Sequence, residues 1–189
     1  MRYQSHQIYH IYNQGNNREK IFFDPGNYEY FKEKLRRYIC PCTDLLAYCL
    51  MPNHFHLLIY TSDLSVQEYK NTGLQNISFA ISQLLSSYTK GINRRFNRTG
   101  SLFRSKTKKK DGWNNNNGYP SIVEFEGKEP TFTDNNYVLT VFHYIHANPV
   151  KAHLVKTAER WLYSSAREFS GLEENALCNI DKARYLLGV

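Results

Sequence analysis

Residues 44–60, DLLAYCLMPNHFHLLIY, constrain the fold more than any other stretch. Two apolar runs, about Asp44 to Met51 and His54 to Tyr60, flank a Pro52-Asn53 connection of the length used by a tight hairpin, so an antiparallel strand pair is expected. Side chains at i and i+2 of a strand point to the same face. His54, His56, Leu58 and Tyr60 therefore line one side of the second strand, and Phe55, Leu57 and Ile59 line the other. The apolar trio is the face a helix would cover. Both histidines are then expected on the side left free, near enough to share one cation. An H-x-H pair alone is as often structural as metal-binding, so a third ligand is needed.

The rest of the chain places other elements around this hairpin. Gln7 to Tyr12 has the β-branched and aromatic bias of a strand, closed by the turn-like run Asn13 to Asn17. Asp24-Pro25 opens a helix in which Tyr28, Phe31 and Leu35 recur at helical spacing, and Pro41 ends it. A longer helix from about Gln75 to Asn93 carries the stripe Ile77, Ile81, Leu84, Leu85, Tyr88 and Ile92. Residues 107–134, with four consecutive asparagines, three glycines and two prolines, read as a surface excursion. Asp134 or Asn135 can cap another helix, roughly Asn136 to Ala147, which Pro149 is expected to stop soon after Asn148. An irregular arm from about residue 150 and a short helix, about Asp181 to Leu186, complete one domain over 1–189. Strand, helix, strand-turn-strand, helix is the order of an α+β fold with helices over one face of an antiparallel sheet.

Charge narrows the function. The net charge is +7, but nine basic residues lie between Lys90 and Lys110 with no acidic one among them. Outside that segment 15 Lys and Arg face 17 Asp and Glu, a net of −2, so the whole positive excess sits in one block. Solvated faces usually mix both signs. A concentrated block on a neutral body points to a polyanion, here nucleic acid. The first fifteen residues lack the apolar core of a secretory signal and no stretch approaches a membrane span, so a cytoplasmic protein is expected. Cys40, Cys42, Cys49 and Cys178 contain no pair of C-x-x-C motifs, and are read as reduced thiols rather than a zinc ribbon or disulfide framework.

The third ligand is sought in YVLTVFHYIHANPV, where Tyr137, Val141, Tyr144 and Asn148 share one helical stripe and Tyr144 and Asn148 lie one turn apart. Taken alone, this is a core tyrosine followed by an asparagine C-cap. It does not stand alone. H-F-H on a strand, the basic YTKGINRRFNRTGSLFRSK, YIHANPVKAHLV and a trailing W-x-x-SS, in this order, resemble the single-tyrosine transposases of the HUH nuclease superfamily, and among them the REP-associated tyrosine transposases. The resemblance runs from about Tyr9 to Ser165. It implies a ferredoxin-like antiparallel sheet with helices on one face and the tyrosine helix toward the other. It also implies that His54, His56 and Asn148 bind a divalent metal, Mg²⁺ or Mn²⁺, and that Tyr144 is the nucleophile. Tyr88 is the alternative tyrosine, but it lacks the amide partner and fits an apolar stripe.

By the same resemblance the substrate is single-stranded DNA folded into a hairpin, cut beside its stem through a 5′-phosphotyrosine and rejoined without ATP, in a bacterial, nucleoid-associated protein. The family includes dimers that share active sites and members that act alone, which leaves a homodimer open. Lys90, Arg94, Arg95, Arg98, Arg104 and Lys106, with Arg18 in the loop after the first strand, are the expected DNA contacts, and Phe96, Phe103 and Trp113 are candidates for stacking on bases. Two other functions compete: a domesticated hairpin-binding protein that does not cut, and an unrelated metal hydrolase that uses water as nucleophile.

Overall fold

The computed structural model describes residues 2–111 and 134–189. Strand β1 (Ile8–Gln14) leads to helix α1 (Pro25–Lys34), which continues as a π turn, Leu35–Ile39. Strands β2 (Thr43–Met51) and β3 (His54–Thr61) follow, then the single turn α2 (Asp63–Val66) and the long helix α3 (Asn76–Arg95). Strand β4 (Lys108–Asp111), helix α4 (Asp134–Lys151), the one-turn helix α5 (Ala166–Phe169) and helix α6 (Ile180–Leu187) complete the order. The four strands form one antiparallel sheet in the order β2-β3-β1-β4. This is the ferredoxin-like α+β arrangement, in which β3 and β1 occupy the centre.

The expected hairpin is present, with Met51 opposite His54 across Pro52-Asn53. Its alternation sorts side chains onto two faces. Ile11, Leu45, Leu50, Phe55, Leu57 and Ile59 pack with Phe31, Leu35, Ile39, Ile77, Leu84, Tyr88 and Ile92 of α1, its π turn and α3. Asp24 caps α1 by accepting from Asn27 N at 3.1 Å, and Pro25 supplies the preset first-turn geometry.

Helix α4, which carries Tyr144, lies over the opposite face as the resemblance implies, and α6 joins it there, so that face is not left free. Ile8, Leu46, Ala47, Cys49, Met51 and Leu58 pack against Val138, Val141, Phe142 and Ile145 of α4 and Ala183 of α6. The apolar residues between the histidines' neighbours on β1, β2 and β3 supply that second core, so α4 has an apolar surface to cover. Among the described residues no helix is long and apolar enough to cross a membrane.

Three boundaries differ from those read in the sequence. Lys108–Asp111, placed in the surface excursion, pairs with Tyr9 to Tyr12 of β1 as the fourth strand, while Phe103 makes only a single bridge to Gly15. Pairing with a central strand overrides the weak strand propensity of a lysine run. Residues 112–133 of the excursion, Trp113 included, lie outside the described residues. Helix α4 starts at Asp134 and runs through Pro149 to Lys151. Proline removes one N–H, but only near the end of the helix, where the loss is smallest. Leu154 N→Pro149 O and His153 N→Val150 O, both 2.9 Å, then close the helix, with His153 in the left-handed region at φ 56°.

The C-terminal arm has a structural task. Leu50 N donates to Tyr163 O, Ser165 N to Tyr48 O and Trp161 Nε1 to Leu50 O, at 2.9 to 3.0 Å. The W-x-x-SS segment thus covers the outer edge of β2, which would otherwise offer unpaired backbone groups. Buried Glu168 extends the seal, accepting from Tyr48 Oη, Leu177 N and Cys178 N.

Candidate active site

The central strands and α4 bring five of the predicted residues, His54, His56, Arg104, Lys106 and Tyr144, to one cleft. Its volume is about 230 Å³, and its lining includes His54 and His56 from β3, Tyr144 from α4, Tyr12 from β1, and Arg104, Lys106 and Lys108 from the segment entering β4. The His56 and Tyr144 rings meet edge to face at 5.4 Å, and those of His54 and His56 at 5.0 Å.

Hydrogen bonding orients the two imidazoles. Asn53 Nδ2 donates to Arg18 O at 3.2 Å, which fixes its amide so that Oδ1 accepts from His54 Nδ1 at 2.6 Å. An amide oxygen only accepts, so His54 carries its proton on Nδ1 and keeps a lone pair on Nε2. His56 Nδ1 contacts Nε2 of His10, a residue 2% exposed, at 2.9 Å. The His56 Nε2 atom is buried and has no hydrogen-bond partner among the described residues. An orphaned imidazole nitrogen inside a protein is costly, and coordination of a cation removes the cost. When His56 Nδ1 donates to His10, Nε2 is the free lone pair.

Burial keeps these rings neutral. It lowers the pKa of His54 to about 4 and that of His10 to about 3, the latter with help from the Lys110 charge. His56 falls well below the ordinary value, by burial and by its histidine neighbours. Neutral imidazole is the form that ligates. Among the described residues no group of three His, Cys, Asp or Glu is placed to hold a metal. Among the described residues, a cation at this cleft would find two imidazoles rather than a full ligand set. That donor set suits an ion that keeps open positions for substrate oxygens.

Asn148 is one turn from Tyr144, as expected, yet it does not line the cleft. Its Nδ2 donates to Tyr144 O at 2.9 Å. Burial raises the Tyr144 pKa, a hydrogen bond from Asn148 offsets part of the rise, and the Tyr12 and Cys49 charges add to it. Tyr144 is thus a neutral phenol at pH 7. Tyr88 is wholly buried, its hydroxyl donates to Ile21 O at 2.7 Å, and burial drives its pKa far upward, so it is a core residue.

The basic residues divide into two groups. Arg104 and Lys106 rim the cleft. Lys90 and Arg94 are exposed on the last turns of α3, while Arg95 and Arg98 are ion-paired with Asp24 at 2.9 Å and Glu19 at 3.6 Å. Arg18 is exposed at φ 60°, with its carbonyl bound to Asn53. Phe103 is core, in contact with Phe55 and Tyr88. Sequence reasoning missed His10, Tyr12 and Asn53. The alternation of QIYHIY held a signal for the first two, since His10 and Tyr12 share a face.

No protein-family model matches the chain, and no curated protein matches its sequence. A solved structure of a REP-associated tyrosine transposase bound to a REP hairpin is similar, with a TM-score of 0.57 over 95% of this chain and 90% of that one. The two chains share a fold. Their sequences are 13% identical, so the likeness carries the α+β architecture and leaves the chemistry to the residues of the cleft.

Proposed function

We propose that this chain is a metal-dependent single-stranded DNA nicking and joining enzyme, a tyrosine transposase of the HUH type, that recognises hairpin DNA and cuts beside it. The observation that carries the reading is the meeting, in one cation-rimmed cleft, of the Tyr144 phenol with two neutral histidines, one of them with a buried, unpartnered Nε2. A fold shared with a transposase solved on a hairpin supports it.

Arg104, Lys106 and Lys108 offset the charge of a phosphodiester and draw the strand into the cleft. Mg²⁺ or Mn²⁺ would be held by His54 and His56, with Asn148 as third ligand once its amide turns from Tyr144 O toward the cleft, and would supply Lewis-acid polarisation of the phosphate. The Tyr144 phenol releases its proton to solvent and its oxygen bonds to phosphorus as the bond to the 3′-oxygen breaks; that oxygen takes up a proton and leaves as a 3′-hydroxyl. The 5′-phosphotyrosine keeps the bond energy, and a 3′-hydroxyl reverses the step, returning Tyr144 as a phenol. A phenol suits both directions, being a better leaving group than an aliphatic alcohol.

The test is incubation with Mg²⁺ or Mn²⁺ and single-stranded hairpin DNAs from the flanks of the gene, followed by a denaturing gel. The wild type is expected to form a covalent adduct, and Tyr144→Phe none. Cleavage by Tyr144→Phe without an adduct would instead establish a hydrolase that uses water. The second reading, a hairpin-binding protein that does not cut, is favoured by the turning of Asn148 onto its own helix. It predicts tight hairpin binding with no product in either protein.

A further inference from the structure

The far end of α3 carries a feature that the cleft does not use. Phe23 and Phe96 are 41% and 36% exposed and meet in a tilted contact, ring centroids 4.8 Å apart and planes at 41°. Exposed phenyl rings in contact form an apolar surface that soluble proteins normally bury or use. Two guanidinium groups lie against it, Arg98 at 5.6 Å from the Phe23 ring and Arg95 at 5.5 Å from the Phe96 ring. Each is tethered by a carboxylate, Glu19 and Asp24 respectively. Lys90 and Arg94 are exposed on the same helix end.

The chemistry of this surface selects its occupant. A second copy of the chain would set like charges against each other. An apolar partner would cover the rings but offer nothing to the exposed Lys90 and Arg94 beside them. An unpaired nucleobase with its phosphate satisfies both parts, since every base has a flat apolar face and base-aromatic stacking tolerates any sequence.

The surface lies at the same end of the sheet as the cleft. Ile21 N and Phe22 N, just before Phe23, donate to Pro52 O in the turn that leads into His54, at 2.9 and 3.1 Å, and Arg18 O holds Asn53. Arg104 N donates to Gln14 O at 2.9 Å, which joins the segment after α3 to the end of β1.

We infer that Phe23 and Phe96 form a stacking shelf for an unpaired base of the strand whose phosphodiester enters the Tyr144 cleft, with Lys90 and Arg94 on the phosphates beside it. The inference rests on the proposed DNA function and adds a subsite to it. The experiment uses the full-length protein and single-stranded hairpin DNAs in which one 2-aminopurine, or one 5-iododeoxyuridine, is moved along the unpaired flank. At one register the fluorescence should fall on binding, and light should link the iodinated base to a peptide containing Phe23 or Phe96. Phe23→Leu/Phe96→Leu should keep the thermal transition, lose the fluorescence change and weaken binding roughly five- to hundredfold.

Binding that depends on Arg104 and Lys106 but shows no responsive register and no link to either peptide overturns the shelf and leaves the DNA function standing. Absence of any binding by the wild type overturns both. The photochemical arm uses the wild type, so a misfolded variant does not decide the matter.

Discussion

On β3, Phe55, Leu57 and Ile59 point under α1 and α3, and each is at most 1% exposed; the residues between them, His54 and His56, point toward α4. The same strand thus builds two different interiors. Under α1 and α3 the wholly buried Tyr88 hydroxyl is satisfied, donating to Ile21 O. Under α4, His10 Nδ1 and His56 Nε2 are buried without partners among the described residues. One face is satisfied at its buried hydroxyl, and the other gives up stability by burying ring nitrogens that have no partner among the described residues. The two tyrosines repeat the contrast: Tyr88 anchors the core, and Tyr144 opens into the cleft.

Truncation should separate the faces most strongly. Phe55→Ala removes a ring packed against Phe31 and Phe103 and is expected to cost about 3–5 kcal/mol in urea unfolding. On the other face, the double change His10→Leu/His56→Leu replaces two orphaned imidazoles by apolar groups of similar volume. Its stability should stay within about 1 kcal/mol of the wild type, or rise. A loss as large as that of Phe55→Ala would make the histidines structural and remove the contrast.

Metal binding sharpens the same point. If the histidine face is held in reserve for a cation, Mn²⁺ at about 100 times its dissociation constant should add about 2.7 kcal/mol of stability, read as a rise in Tm. His56→Leu should show no such rise. An equal shift in both proteins would place the metal elsewhere.

The apolar face was far more legible in the sequence than the other. Period-two alternation in HFHLLIY and helical spacing from Ile77 to Ile92 are local signals, and both survive in the fold. They also put His54 and His56 side by side. What completes the site is not local. His10 meets His56 only because β1 pairs with β3 in the register that sets Tyr12 opposite His56, and Asn53 orients His54 only because the loop at Arg18 folds back onto the hairpin turn. The resemblance alone put the Tyr144 helix toward the histidine face, and the share of α6 in that cover was missed because α6 reaches it from a distant part of the chain. Pro149 misled for a different reason: its effect depends on how near the end of the helix it falls, which the cap at His153 determines.

Acid should act on the histidine face first. The folded pKa values of His10 and His54 are depressed by burial, to about 3 and about 4, against about 6.5 in the unfolded chain. Between those limits the unfolded state binds protons that the folded state refuses. Stability is therefore complete above about pH 6.5 and falls as the pH drops toward 4, by about 1.4 kcal/mol per pH unit for each such histidine. Urea midpoints from pH 7 to pH 4.5 should follow this fall, and His10→Leu should remove one histidine's share of the slope. A midpoint that does not move with pH would mean that the rings take up protons in the fold as readily as in the unfolded chain, and that burial does not hold them neutral.

The smallest effect concerns the rim. Arg104 and Lys106 border the histidine face, whereas Arg37 is an exposed cation beside the π turn on the apolar side. If DNA phosphates contact only the rim, Lys106→Ala should reduce the slope of log affinity against log salt by about 0.7, the value for one contact on a single strand. Arg104→Ala should do the same, and Arg37→Ala should leave the slope unchanged. The measurement is a salt titration of hairpin binding by fluorescence anisotropy. Equal reductions from all three would mean that DNA is drawn to the net charge of the whole molecule, and the distinction between the two faces would then hold for the folding of this chain but not for how it holds its substrate.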